Sequence, residues 1–157
     1  MKHKTNWKAF AVSLLVVYLI AFIGSIFTSS ETDGDWYQSI RPSITPPNWV
    51  FPVVWNILFF LIAISLYFAW ITAKDYKTKN RIIIVFGFNF ILNVLWSVLY
   101  FGLRNPLFAF YEIIFLWLSI ILMIYTTYKI NRKSAYLLIP YLLWVSFAII
   151  LNYLSAF

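Results

Sequence analysis

The chain has 157 residues, of which 63% are hydrophobic and 11% charged, whereas soluble domains have roughly 45–50% apolar and about 25% charged residues. This composition excludes a soluble domain and a disordered chain, and it predicts one membrane-embedded unit. The sequence has no cysteine, which excludes disulfides and thiolate metal sites. The net charge of +7 comes from short Lys/Arg patches between apolar runs, so we predict no nucleic-acid partner.

Five apolar stretches are long enough to cross a bilayer, because a helix rises about 1.5 Å per residue and needs about 20 residues to do so. Backbone groups must be hydrogen-bonded inside lipid, and these stretches lack the alternation of barrel strands, so each is predicted to be a helix. The predicted fold is an all-α integral membrane protein, a single domain over residues 1–157. Its five transmembrane helices are expected near residues 9–28, 51–73, 82–101, 106–128 and 135–154, with a lid loop at 29–50.

The positive charges are distributed unequally between the two ends of these helices. The N-terminal tail and the second and fourth connections hold ten of the twelve lysines and arginines, and the other two are Arg41 and Arg104. The positive-inside rule therefore predicts a cytoplasmic N-terminus and an outside C-terminus. In an organelle, the same asymmetry would refer to a different compartment.

The long first connection contains three prolines within six residues, Pro42, Pro46 and Pro47. Since proline fixes φ and lacks an amide donor, the segment Pro42 to Pro47 is predicted to be extended and stiff. The second helix is expected to begin between Asn48 and Pro52. Two interpretations of Trp49 remain open: an interfacial residue of an ordinary loop, or a side chain that a lid presents to a cavity between helix ends.

The third predicted helix carries two amides in its apolar run, Asn89 and Asn93. They share one face, predicted to look inward, with Phe86, Trp96 and Tyr100. An amide in hydrocarbon needs a partner, so each Asn either joins helices by a hydrogen bond or contacts a ligand.

The fourth predicted helix aligns Phe108, Glu112, Phe115 and Ser119 on one stripe, and Glu112 is the only acid within a predicted span. Intramembrane acids usually face the bundle interior and serve function, although a Glu that bonds an Asn or a Trp N–H is an equal alternative.

The fifth predicted helix aligns Pro140, Trp144, Ala148 and Asn152 at steps of four residues, with Phe147 beside Trp144. Pro140 is expected to kink the helix, and Asn152 is expected to pack or cap. Trp144 either packs in the core or forms one wall of a pocket facing Trp49.

Three of these segments together resemble one known family. The run from Pro42 through Pro46-Pro47-Asn48-Trp49-Val50-Phe51 to Trp55 resembles the first loop and second helix of the TspO/MBR family of tryptophan-rich sensory proteins and translocator proteins. The run Asn89 to Gly102 resembles its third helix, and Pro140 to Tyr153 its fifth. The resemblance, to a bacterial-type member, implies porphyrin, sterol and isoquinoline carboxamide ligands, and it shifts Asn89 towards ligand contact.

From the residues and the resemblance we expect a membrane receptor for protoporphyrin IX-like porphyrins and related planar hydrophobic molecules. The spans contain no His or Cys, and their only Met is Met123, so we predict no cofactor and no metal site. The expected ligand-binding residues are Trp49, Asn89, Asn93, Trp96, Phe108, Glu112, Trp144, Phe147 and Ala148, with Pro42, Pro46 and Pro47 in the lid.

Three rival functions remain open at this point. Some bacterial relatives are credited with light- and oxygen-dependent porphyrin breakdown, and in that case Trp49 and Trp144 would carry the photochemistry; no conventional catalytic constellation supports an enzyme. A transporter of tetrapyrroles or other apolar solutes is the alternative, and a structural or regulatory partner is another. Besides membrane lipid, a second copy of the chain is a further expected partner, since small residues such as Gly24 and Ala63 would permit a homodimer.

Overall fold

The computed structural model describes residues 6–29 and 31–157, so Lys2 and Lys4 of the predicted basic tail lie outside the described residues. These residues form seven α-helices, one of which continues as a π-helical turn, and no strand. In chain order they are α1 (Trp7–Thr28), α2 (Asp35–Ile40), α3 (Val50–Thr72), α4 (Tyr76–Ser97) with the π-helical turn Val98–Gly102, α5 (Pro106–Tyr128), α6 (Arg132–Tyr136) and α7 (Ile139–Ala156).

Five helical segments within the described ranges are long and apolar enough to cross a membrane. They are α1, α3, α4 with its π-helical turn, α5, and α6 together with α7, and each contains an 18-residue stretch with a mean hydropathy between 2.0 and 2.6. This confirms the predicted all-α bundle of five transmembrane helices.

Side-chain caps set several helix ends. The Asp75 side chain accepts a hydrogen bond from the Thr78 amide at 2.8 Å, so α4 begins at Tyr76, before the apolar run in which its start was predicted. Its first turn is polar and extends beyond the hydrophobic span. The Asn105 side chain caps α5 in the same way through the Phe108 amide at 3.1 Å, with Pro106 in the first turn, as its missing N–H permits.

The last span is interrupted close to its start. A turn at Leu137–Leu138 separates α6 from α7, because Pro140 has no amide to donate to the carbonyl of Tyr136. The predicted kink at Pro140 is therefore confirmed as a break. Ser65 and Ser134 join α3 to α6 beside this break, each hydroxyl donating to the other residue's carbonyl at 2.9 and 2.7 Å.

The membrane-spanning helices pack side by side in the order α1, α3, α6–α7, α5 and α4, with α4 returning to α1. Helix α5 lies against α4 and α7, and α1 lies against α3 and α4, whereas α3 and α7 touch only loosely. Gly24 of α1 is buried, and a Cβ atom placed on it would lie at an ordinary van der Waals distance of 3.6 Å from the Ser97 hydroxyl, so α1 contacts α4 at this point. The loose contact between α3 and α7 leaves a gap in the side of the bundle.

Candidate functional site

A chain of hydrogen bonds crosses the interior between α4, α5 and α7. The Asn89 amide donates to the Ser119 hydroxyl at 2.8 Å, and its oxygen accepts from the Tyr141 hydroxyl at 3.3 Å. The Asn93 amide donates to the same Tyr141 oxygen at 3.1 Å. All four side chains are buried, Asn89 completely. Both amides of α4 therefore find partners on neighbouring helices.

A second polar connection lies closer to the loop end of the bundle. The Trp96 indole N–H donates to the Asn152 side-chain oxygen at 2.9 Å, and the Asn152 amide donates to the carbonyl of Pro106 at 2.8 Å. Trp96 also stacks on Tyr100, with ring centroids 5.1 Å apart. Asn152 thus joins α7 to the start of α5, in agreement with the packing or capping role expected for it.

Glu112 stands apart from these networks. Its side chain is 7% exposed, and neither carboxyl oxygen has a hydrogen-bond partner among the described residues. Helices α4 and α5 run antiparallel with Asn89 opposite Ser119, so Glu112 lies at about the depth of Trp96. Among the described residues, Glu112 is therefore a buried acid without a partner, at the depth of the Trp96 indole.

The gap between α3 and α7 is an apolar groove of about 420 Å³, within the size range of small-molecule sites. Its floor and walls are side chains of both helices: Val54, Ile57, Leu58, Pro140, Leu143, Trp144 and Phe147.

Aromatic side chains of α3 and α7 contact one another beside this groove. Trp144 makes an edge contact with Phe51 at 5.8 Å and a tilted contact with Phe147 at 5.7 Å. Trp55 makes an edge contact with Tyr141 at 6.1 Å, which connects α3 to the buried hydrogen-bond chain. The groove therefore has a rigid indole on one wall.

The predicted site residues fall into three groups. Trp144 and Phe147 line the groove, and Ala148 follows them on α7, packed against the core. Asn89, Asn93, Trp96 and Glu112 lie inside the bundle between α4, α5 and α7. Trp49 and Phe108 lie outside both sets and are 68% and 59% exposed.

The predicted stripe on α5 divides between interior and exterior. At about 100° per residue, Phe108, Glu112, Phe115 and Ser119 lie within an arc of about 60°. Glu112 and Ser119 are buried, but Phe108 and Phe115 are about 60% exposed. The edge of the buried face runs through this arc, so the two phenylalanines face outward from the bundle.

The first connection is less extended than its prolines predict. It contains the short helix α2, and the Thr45 amide donates to the carbonyl of Pro42 at 3.1 Å, which makes a turn within the segment expected to be extended. Pro46 and Pro47 follow without regular structure, and α3 begins at Val50, inside the predicted interval.

Two side chains join distant parts of this connection. The Arg41 guanidinium donates to the carbonyl of Pro46 at 2.8 Å. The Asn48 amide donates to the Asp33 carboxylate at 2.8 Å and to the carbonyl of Thr32 at 3.3 Å. The segment that precedes α3 is thereby tied to the segment that follows α1.

The connection also docks on the end of α4. Tyr37 of α2 is buried against Tyr100 and Phe101, with ring centroids 6.4 and 5.6 Å apart. The π-helical turn makes this docking feasible, since it brings two consecutive aromatic residues into the interior. Arg104 adds an ion pair with Glu31 at 3.0 Å and lies over the Trp36 ring at 5.9 Å. The proposed lid is therefore anchored at the α4–α5 end.

Burial raises the pKa of the Tyr37 phenol above its usual value of 10.0, and the nearby Arg41 guanidinium partly opposes that rise. The docked loop favours the neutral phenol, so this stabilisation is complete below pH 10 and is lost as pH rises through the raised pKa. We expect Tyr37→Phe to remove one late step from the alkaline titration of tyrosinate absorbance. A lost step at or below 10.0 would contradict the burial of this ring.

Sequence reasoning missed several residues of these features. Tyr141 connects both amides of α4, yet it was noticed only as part of a motif, because nothing in a sequence shows which helix faces an amide. Val54, Ile57 and Leu143 of the groove carry no signal beyond hydrophobicity. The sequence features that did point here were the aromatic residues Trp144 and Phe147 on one face of the last span.

Comparison with known proteins places this architecture among relatives. Residues 11–156 match the TspO/MBR family. The chain is similar to the tryptophan-rich protein TspO of Archaeoglobus fulgidus, with 42% identity over 142 residues and 90% of each chain covered. It is also similar to the tryptophan-rich protein TspO of Chlorobaculum tepidum, at 36% identity with 85% of each covered. The human translocator protein is 28% identical over 84% of this chain and 79% of its own length.

Proposed function

The chain belongs to the TspO/MBR family of integral membrane proteins, and from this membership we propose that it is a receptor for porphyrins and related planar hydrophobic molecules. Protoporphyrin IX-like tetrapyrroles are the principal class, and isoquinoline carboxamides or sterols are further ligands. The observation that carries the proposal is the apolar groove of about 420 Å³ with Trp144 and Phe147 on its wall. A flat, largely apolar ring system fits such a wall by stacking.

The groups around the groove suggest a division of roles. Trp144, Phe147 and Ala148 would contact the faces and edges of the ring system. Asn89 and Asn93 would hold α7 in position through Tyr141, since their amides are already paired.

Polar recognition would come from the interior and from the loop. Glu112 has unused hydrogen-bonding capacity, and Trp96 lies at the same depth. Trp49 and Phe108 are exposed and would meet the ligand from outside, with Trp49 carried by the segment that Pro42, Pro46 and Pro47 stiffen.

Replacing Trp144 by Phe tests the stacking wall. We expect protoporphyrin IX to bind about three- to tenfold more weakly, because the smaller phenylalanine ring buries less apolar surface against the ligand, at about 25 cal/mol per Å². Titration of the detergent-purified protein in the dark, followed through the porphyrin absorbance band, measures the dissociation constant without relying on tryptophan fluorescence.

Trp70→Phe is the matched control. Trp70 is a half-buried indole on α3 that lies under Lys79 at 5.3 Å, away from the groove, so this variant should bind as the wild type does. Equal affinity in both variants would reject the groove as the site.

Illuminating the same complexes separates a receptor from a porphyrin-degrading enzyme. If the indoles of Trp49 and Trp144 carry photochemistry, then Trp49→Phe and Trp144→Phe should each abolish product formation in light and oxygen. Samples kept dark or anaerobic should form no product in any variant. Turnover that survives both substitutions would exclude this role.

The same proposal includes an orientation and an assembly state. Lys8, the lysines and arginines of the α3–α4 connection and those of the α5–α6 connection lie at one end, whereas Arg41 and Arg104 lie at the other. By the positive-inside rule the first end is cytoplasmic in a bacterial plasma membrane, and the docked loop faces outward. Gly24 and Ala63 are buried within the bundle, so a homodimer would form through exposed small residues such as Ser25 of α1.

A further inference from the structure

The end of the bundle opposite the docked loop carries a concentrated positive charge. Lys74, Lys77 and Lys79 belong to the α3–α4 connection and the start of α4, whereas Lys129 belongs to the α5–α6 connection and Arg132 and Lys133 to the start of α6. The two groups lie at the same end of the bundle, where the Asn131 amide, just before α6, donates to the hydroxyl of Thr72, the last residue of α3, at 2.9 Å. These six side chains form one surface, which we call the basic surface.

Nothing among the described residues neutralises this surface by an ion pair. The ion pair that they do form, between Glu31 and Arg104, is at the opposite end. Asp75 is the acid nearest to the basic surface in sequence, and its carboxylate is engaged by the Thr78 amide at 2.8 Å and the Thr78 hydroxyl at 2.6 Å. Those hydrogen bonds lower its pKa, so Asp75 remains ionised as a helix cap.

Three of these charged groups lie over aromatic rings at the ends of membrane-spanning helices. Lys79 lies over Trp70 at 5.3 Å, Lys129 over Tyr125 at 3.9 Å and Arg132 over Tyr128 at 5.3 Å. Each ring belongs to the last turns of a membrane-spanning helix. Since aromatic belts mark the level where hydrocarbon meets headgroups, the cations above them lie at the level of lipid phosphates.

We propose that the basic surface binds the headgroups of anionic phospholipids. Ammonium and guanidinium groups donate charge-assisted hydrogen bonds to phosphate oxygens, and the exposed Tyr128 and Tyr136 add hydroxyl groups beside them. A zwitterionic lipid offers the same phosphate but carries its own cation, so a surface of net positive charge discriminates against it. This site is separate from the groove and does not depend on the ligand proposed above.

Titration of the detergent-purified full chain with two lipids of identical acyl chains tests the proposal. We expect dioleoyl phosphatidylglycerol to raise the thermal unfolding midpoint at concentrations about tenfold or more below those needed with dioleoyl phosphatidylcholine. The difference should shrink in about 0.5 M NaCl, because ionic contacts at an exposed surface are screened. Equal effects of the two lipids would overturn the proposal without any variant.

Two triple variants identify the residues. Lys74→Gln/Lys129→Gln/Arg132→Gln should lose the preference for phosphatidylglycerol, whereas the charge-preserving Lys74→Arg/Lys129→Arg/Arg132→Lys should keep it. A preference that persists in the neutral variant would assign lipid binding elsewhere. Inorganic phosphate alone is the third arm, and a shift from it as large as that from phosphatidylglycerol would overturn the lipid assignment in favour of a soluble phosphate site.

Discussion

Replacement of Tyr141 by Phe is expected to lower the free energy of unfolding by about 1–3 kcal/mol. The Tyr141 hydroxyl donates to the Asn89 oxygen and accepts from the Asn93 amide. Its removal leaves two buried polar groups of α4 without a partner in hydrocarbon, and such groups cost more than the lost hydrogen bonds alone. Unfolding in mixed detergent micelles of increasing sodium dodecyl sulfate content, followed by circular dichroism, measures the change.

Tyr153→Phe is the control for this experiment. Tyr153 lies on the same helix but is 49% exposed, so loss of its hydroxyl should leave the stability unchanged. If Tyr141→Phe were as stable as the wild type, water or a rearranged side chain would have to satisfy both amides, and the buried chain of hydrogen bonds would not hold α7 in place.

Replacement of Glu112 by Leu is expected to act in the opposite direction and to stabilise the bundle by about 1–3 kcal/mol. Both carboxyl oxygens are buried without a hydrogen-bond partner among residues 6–29 and 31–157, so the wild-type protein bears the cost of removing them from water. A residue retained at such a cost indicates a functional use. We therefore expect the same variant to bind protoporphyrin IX more weakly despite its greater stability.

Glu112→Gln separates polarity from acidity in this comparison. The amide is equally polar and nearly the same size, so it should keep a stability close to that of the wild type. If Glu112→Leu were less stable than the wild type, the carboxyl must have a partner in the membrane, and its assignment as an unpaired group would be wrong. If stability rose but porphyrin affinity were unchanged, Glu112 would be excluded from ligand recognition.

The five-helix fold could be predicted because its main determinant, an apolar run of about 20 residues, is visible in the sequence. The inward face of α4 could also be predicted, since polar side chains in a span must find partners. Asn89 and Asn93 are both buried, as expected. Capping explains the main difference in boundaries, because Asp75 allows α4 to start in a polar stretch outside the hydrocarbon.

Other features could not be predicted for identifiable physical reasons. Helix α2 has six residues, too few to show a periodic pattern. In a membrane, both the interior and the surroundings favour apolar groups, so hydrophobicity alone could not reveal that Phe108 and Phe115 face outward. The pairing of Tyr141 with the α4 amides depends on how α7 is rotated against α4, and that rotation is set by packing over the whole bundle.

The internal ties of the first connection have a mechanical consequence. Asn48 is hydrogen-bonded to Thr32 and Asp33, and Arg41 to Pro46. The segment from residue 31 to residue 49 would therefore move as one unit rather than unfold from one end. Its hold on the bundle combines the packing of Tyr37 against the π-helical turn with the Glu31–Arg104 ion pair and the edge contact of Trp36 with Tyr100. Release of this segment would therefore require all of these contacts to break together, a collective motion of the kind that occurs in microseconds to milliseconds.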